Sequence, residues 1–184
     1  MKARRIGRNP QAKARRFRPN LAADLLRSAN VAGSGSLIAS SLRMYQREAA
    51  GIIVFDTWLM NTDRGSGDNL LVYPDSSDGL NFRFAMIDHG HILNGPSWDS
   101  FLLDPDSVVT LSDYHPDMVP ASLVRGDFAP YLDRLEAITD STIEDAIAAI
   151  PSDWQCPPED RETLRRFLMN RRSLVRSAVY AAYP

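Results

Sequence analysis

Asn61-Thr62-Asp63-Arg64-Gly65-Ser66-Gly67-Asp68-Asn69-Leu70-Leu71-Val72 passes from a polar, glycine-rich run straight into an apolar one. Asp, Asn, Gly and Ser favour loops and turns for local reasons, whereas Leu-Leu-Val-Tyr suits a half-buried strand. Downstream, Pro74-Asp75-Ser76-Ser77-Asp78-Gly79 is dense in turn formers, and the chain reads as extended again from Asn81 to Ile87. The segments from Asn69 to Tyr73 and from Asn81 to Ile87 are therefore expected to pair as a hairpin. Upstream, Leu42, Tyr45, Ala49, Ile53 and Trp58 recur at helical spacing. They predict a helix from about Ser40 through Thr57, weakened locally by Gly51. The expected order is helix, loop, hairpin.

Both flanks read mainly as helix. Before the central segment, Leu21, Ala22, Leu25 and Leu26 make a short stripe with Asn20 as cap, and Gly33-Ser34-Gly35-Ser36 breaks the chain. After it, Pro and Asp punctuate Gly95 to Pro120, which reads as loop with one helical turn near Val108. Three helices follow, over roughly Pro120 to Ile138, Ser141 to Ile150 and Pro158 to Tyr180. Thr139, Asp140 or Ser141 can cap the second of these, and Glu144 stands three residues beyond Ser141 as in a capping box. The third has Pro158 in its first turn and Leu164, Phe167, Leu168, Leu174, Val175, Ala178 and Val179 along one face.

The central segment also carries the chemistry. Phosphoryl transfer needs a carboxylate near the attacking hydroxyl, together with oxygen ligands for Mg²⁺ shared with the substrate phosphates. Asp63 lies in the loop before Asn69, and the strand returning through the turn brings Asp88 of Ala85-Met86-Ile87-Asp88-His89-Gly90 alongside. Asp63 is the candidate base, and Asn69 and Asp88 are the candidate metal and nucleotide ligands. Gly65, Gly67 and Gly90 permit sharp turns around them. Arg64 stands with Asp63 as a catalytic candidate, to contact a phosphate or to pair with a nearby carboxylate, the alternative being an ordinary surface arginine.

These two motifs, in this order, resemble the catalytic and metal-binding loops of HipA-like kinases. They also resemble those of the wider phosphatidylinositol 3/4-kinase group, the type II phosphatidylinositol 4-kinases especially. The resemblance puts the family's catalytic aspartate on Asp63, its loop asparagine on Asn69 and its metal aspartate on Asp88. Ile150-Pro151-Ser152-Asp153-Trp154 and the helix containing Asn170-Arg171-Arg172 resemble the tail of small HipA-like domains. The likeness spans about Ile52 to Ser177. It implies an α+β, mostly α, protein-kinase-like C-terminal lobe with a short β-hairpin next to the catalytic loop, acting with ATP and Mg²⁺ on a hydroxyl acceptor. Such kinases also carry an N-terminal lobe of strands, with a glycine-rich flap and a lysine for the nucleotide phosphates. Here the lysines are Lys2 and Lys13, and Gly33-Ser34-Gly35-Ser36 lacks both flanking strands and a following lysine. The lobe is expected over 20–184 without its N-terminal companion. Three readings follow: a truncated relative with weak or no activity, a partner chain that supplies the missing lobe, or an arginine in the lysine's place.

Charge separates the first residues from the rest. The 184-residue chain carries −2 overall, yet its first 18 residues hold eight Lys or Arg and no acid, leaving 13 basic against 23 acidic residues in the remainder. Residues 1–19 are expected to form a flexible basic arm, able to hold nucleic acid phosphates or an acidic lipid surface by charge, or merely a solvated tail. One cysteine, Cys156, excludes an intrachain disulfide. With no secretory signal and no apolar run long enough to cross a bilayer, the expectation is a soluble cytoplasmic protein without a transmembrane segment.

Competing chemistries are poorly supplied. His89 and His91 alternate as zinc ligands on a strand would, but His115 is the one further histidine and no third ligand stands at matching spacing. Cys156 has no base partner and precedes two prolines, and Trp58, Trp98 and Trp154 fit packing better than base stacking. The alternative to a phosphotransferase is a catalytically silent, kinase-derived module that contacts nucleic acid or a protein through the basic arm.

Overall fold

The protein is described by a computed structural model covering residues 15–16, 35–64, 69–74, 82–95, 99–100, 103–105 and 123–183, with side chains from residue 47 onward except at 72–74 and 82. The described elements are β1 (Arg15–Arg16), α1 (Gly35–Leu59), β2 (Leu70–Pro74), β3 (Phe82–Met86), α2 (Arg125–Glu136), α3 (Asp140–Ala148), a 3₁₀ turn at Ser152–Trp154 and α4 (Pro158–Ala182). The expected helix at Leu21 to Leu26, the Gly65 to Gly67 turn, the hairpin turn at 75–80, the helical turn near Val108, Trp98 and His115 lie outside the described residues.

The hairpin is present in antiparallel register, with Leu70 opposite Met86, Leu71 opposite Ala85 and Val72 opposite Phe84. One difference concerns the basic arm. Arg15 and Arg16 pair with Val72 and Leu71, so the sheet has three strands in the order β1-β2-β3. Nothing in the sequence of the arm signals this, because backbone groups rather than an apolar pattern make the pairing.

α1 begins at Gly35, within the run expected to break the chain. From Ala49 to Val54 it is buried on nearly every side except at Gly51, as a helix packed from several directions must be. Gly51 has a packing reason: a Cβ there would stand 2.5 Å from the Tyr131 ring. α2 starts at Arg125, five residues later than its first proline suggested. Asp127 Oδ2 accepts the Val124 amide at 3.0 Å, satisfying one of the amides left open at a helix start. Thr139 is the cap of α3, its hydroxyl accepting the Thr142 amide at 3.2 Å. Pro158 and the acids Glu159 and Asp160 open α4, which suits the positive end of the helix dipole.

Two apolar clusters hold these helices together. Ala50, Ile53 and Val54 of α1 meet Phe128, Leu132 and Leu135 of α2 and Val175 and Val179 of α4. Ile143 and Ile147 of α3 meet Leu164 and Phe167 of α4, with Leu103. Trp58 touches both clusters and donates its indole N–H to the Leu168 carbonyl at 3.0 Å, while Trp154 is 72% exposed. α1 is thereby clamped between the hairpin and the helical layer, and its C-terminal end delivers the central loop.

Candidate active site

The loop hangs from a buried ionic frame. Asp56, near the end of α1, and Arg64 are both fully buried. Arg64 Nε donates to Asp56 Oδ2 at 3.0 Å and Nη2 to Asp56 Oδ1 at 3.3 Å. Asn61 Nδ2 adds a third donor to Asp56 Oδ1 at 3.0 Å. The remaining arm of the guanidinium, Nη1, reaches the Asn69 carbonyl at 2.5 Å and the Ile87 carbonyl at 3.0 Å. One side chain thus ties the end of α1, the start of β2 and the end of β3 into a single unit. Of the two roles open to Arg64 from sequence, the structure gives carboxylate pairing. A phosphate cannot reach this guanidinium without displacing Asp56 or a carbonyl, so Arg64 belongs beneath the site rather than at its mouth.

Asp63 and Asn69 meet directly. Asn69 Nδ2 donates to Asp63 Oδ2 at 2.8 Å and to the Asp63 carbonyl at 3.2 Å, while the Asp63 amide donates to Asn61 Oδ1 at 3.1 Å. With both amide hydrogens engaged, Asn69 Oδ1 is left as an acceptor without a hydrogen bond among the described residues. The Asp63 side chain is 42% exposed, so its carboxylate is open to an incoming group.

Asp88 follows one residue after the hairpin contact in which the Ile87 amide donates to the Asn69 carbonyl at 3.1 Å. It is exposed and adopts a left-handed backbone, φ +50°, which Asp tolerates better than most residues. The chain beyond it runs back along the loop. The Thr62 amide donates to the His91 carbonyl at 3.2 Å, and the Leu93 amide to the Leu59 carbonyl at 2.8 Å. His91 Nε2 comes within 4.0 Å of Asp63 Oδ2, and the His89 ring meets Phe55 edge-on. Among the described residues no group of three or more His, Cys, Asp or Glu is placed to hold a metal. A zinc centre on His89 and His91 therefore has no third ligand there. Hard oxygens, Asn69 Oδ1 and the Asp88 carboxylate, are what this end of the hairpin offers, and they fit magnesium rather than zinc.

A family model for phosphatidylinositol 3- and 4-kinases matches residues 21–140, well over half of the chain and the whole of the loop and hairpin. The chain belongs to that family. Kinase-like character follows at that level, and no helix among the described residues is long and apolar enough to cross a membrane. A curated protein named as a tRNA (guanine-N(7)-)-methyltransferase of Hyphomonas neptunium is similar to this chain, 32% identical over 107 residues, 53% of this chain and 48% of that protein. The chain thus spans about half the length of that relative. No solved structure matches.

Asp56, Asn61 and Arg171 escaped the sequence reading. Asp56 was visible as a lone acid inside the run Ile52-Ile53-Val54-Phe55-Asp56-Thr57, an expensive place for a charge unless it is paired. Arg171 lies four residues after Phe167 and four before Val175, on the buried stripe of α4. Its Nη2 and Nε donate to the Thr57 and Trp58 carbonyls at 2.6 and 3.0 Å.

Proposed function

We propose that this chain is an ATP- and magnesium-dependent, HipA-like phosphotransferase acting on a hydroxyl acceptor. The observation that carries the proposal is the Asp63–Asn69 pair: the carboxylate and the backbone carbonyl of Asp63 each take one amide hydrogen of Asn69, directing its Oδ1 away as a hard oxygen ligand. Asp63 would orient the acceptor hydroxyl and take its proton, a contribution of roughly 10²- to 10⁴-fold in rate. Asn69 and Asp88 would hold Mg²⁺, which when bound neutralises charge on the phosphates. Arg64 would act by keeping the two strands in register beneath them. The basic residues of 1–19 remain the proposed contact for nucleic acid or another anionic partner.

A second reading, a catalytically silent binding module, is favoured by one specific observation: Lys2 and Lys13 are the lysines of the chain. An active site of this type then needs an arginine, or a lobe outside these 184 residues, to hold the nucleotide phosphates. The deciding experiment is thermal unfolding of the full chain with and without Mg·ATP, followed by assay for transfer of labelled γ-phosphate. A rise in Tm that Asp88→Asn removes, with label transferred to a hydroxyl acceptor, supports the phosphotransferase. A rise without transfer favours the silent module, and no rise at millimolar Mg·ATP rejects the phosphotransferase and leaves the silent module.

A further inference from the structure

A cleft of about 450 Å³ opens between α1, β3 and α2, and none of Asp63, Asn69 or Asp88 lines it. Ile52, Phe55, Trp58, Met86, Tyr131 and Ile138 make its wall apolar and largely aromatic. A volume of this order, roughly 300–1,000 Å³, with few polar groups is the usual form of a small-molecule site. The Tyr131 ring lies against the open face of Gly51, so the missing side chain there is part of how the wall is shaped.

The polar groups at the cleft divide into two sets. Glu48 is already committed to the wall, accepting from Arg83 Nε and from the Phe84 amide. Arg134, which lines the cleft, and Arg47, next in the chain to Glu48 and not itself part of the lining, are different: both are exposed, and neither makes a hydrogen bond or ion pair among the described residues. Nearly every other described arginine is held by a carboxylate or carbonyl, as Arg64, Arg161, Arg172 and Arg176 show. Arg134 lies over the Tyr131 ring, 5.9 Å from its centroid, and the charge of Arg47 also reaches the Tyr131 phenol. Burial first, then Glu48, raises the pKa of that phenol.

An apolar wall with two uncommitted cations beside it specifies its ligand. A neutral hydrocarbon would use the wall and waste the arginines, whereas a small free anion would use the arginines and leave the wall wet. We propose that the cleft binds an amphipathic monoanion, specifically a medium-chain fatty-acid carboxylate, with its chain against Phe55, Trp58 and Met86 and its head between Arg134 and Arg47.

The test uses the full chain and decanoate below its micelle concentration, with decanol and acetate as the apolar and anionic halves alone. Titration calorimetry is expected to give saturable 1:1 decanoate binding. The Arg47→Glu, Arg134→Glu double variant, altered only at exposed positions, should bind decanoate at least about tenfold more weakly, since tenfold is the ratio that ~1.4 kcal/mol of lost attraction produces. Its affinity for decanol should stay as in the wild type. Met86→Trp, which fills the cleft from β3, should weaken decanoate and decanol together. Absence of saturable binding, equal binding by the double variant, or acetate binding as tightly as decanoate would each overturn the proposal. None of these readouts depends on Mg·ATP, so the outcome is separable from that of the phosphotransferase reading.

Discussion

Arg64 and Asp56 face one another with both side chains at zero exposure and 3.0 Å between Nε and Oδ2. Their worth is in what removal of one would strand. Asp56→Ala leaves a guanidinium buried without its carboxylate, and breaking such a pair from one side costs about 3–5 kcal/mol. Urea unfolding of Asp56→Ala against wild type should show a loss of that size. A loss below about 1 kcal/mol, typical of an exposed pair, would mean the frame does not organise the loop.

The left-handed backbone at Asp88 separates folding from function. Asparagine tolerates φ +50° about as well as aspartate. Asp88→Asn is therefore expected to unfold within about 0.5 kcal/mol of wild type, while losing the Mg·ATP-dependent rise in Tm. A valine at the same place, β-branched and disfavoured at positive φ, should instead lower stability by about 1–3 kcal/mol without ligand. If Asp88→Asn retained the full ligand shift, Asp88 would not be a metal ligand.

Gly51 presents two opposed physical effects. Alanine in a helix interior gains about 1 kcal/mol over glycine, but its Cβ would meet Tyr131 Cε1 at 2.5 Å. Because three ring atoms lie inside 3.0 Å, the ring as a whole must move, and overpacking of this kind costs about 1–3 kcal/mol. Gly51→Ala should destabilise the wild type yet stabilise the Tyr131→Ala background, a change of sign that a double-mutant cycle in denaturant reads directly.

Acid should weaken the α2–α4 contact through Glu136. Its carboxyl is held below the usual value chiefly by the hydrogen bond from Arg176, at 2.7 Å. A depressed carboxyl contributes stability that is complete above its unfolded pKa and disappears as pH falls through the folded one. The pair is partly exposed, so screening leaves about 0.5 kcal/mol. Glu136→Gln should lower Tm slightly at pH 7 and leave it unchanged at pH 2. A difference that persists at pH 2 would assign the effect to packing instead.

Elements governed by local pattern were legible in advance: the hairpin from its strand-like runs and the turn residues between them, α4 from its stripe and Pro158, and a cap for α3 among Thr139, Asp140 and Ser141, of which the structure takes Thr139. The loop residues Asp63 and Asn69 were legible too, and they do meet. What the pattern hid was long-range pairing. The contact between Arg15–Arg16 and β2 is made by backbone, which every sequence possesses. Asp56 and Arg64 sit eight residues apart, and only the fold around them turns both inward. Leu174, placed on the buried face by periodicity, is 38% exposed, while Arg171 occupies the buried line instead. Periodicity marks which residues face inward and says nothing about a charge that finds acceptors there.

Those acceptors make Arg171 the sharpest test of how α1 presents its loop. The last carbonyls of a helix lack intrahelical partners. In α1 the Asp56 carbonyl takes the Asn61 amide and the Leu59 carbonyl the Leu93 amide, which leaves Thr57 and Trp58 to Arg171. Burial pushes the Arg171 guanidinium pKa down, yet an arginine stays protonated. Its positive charge faces the negative end of the helix dipole, and its Cζ lies over the Phe167 ring, 5.0 Å from the centroid. Arg171→Met keeps the volume and removes the donors, stranding two buried carbonyls at a cost of about 2–4 kcal/mol. Arg171→Lys, with a single ammonium in place of the fork, should recover only part of this. Because the next residues of α1 lead into the loop, hydrogen exchange at the Asn61, Leu93 and Asn94 amides should accelerate in Arg171→Met well beyond the global destabilisation. Uniform acceleration across all helices would reduce Arg171 to an ordinary core residue with no special hold on the Asp63 loop.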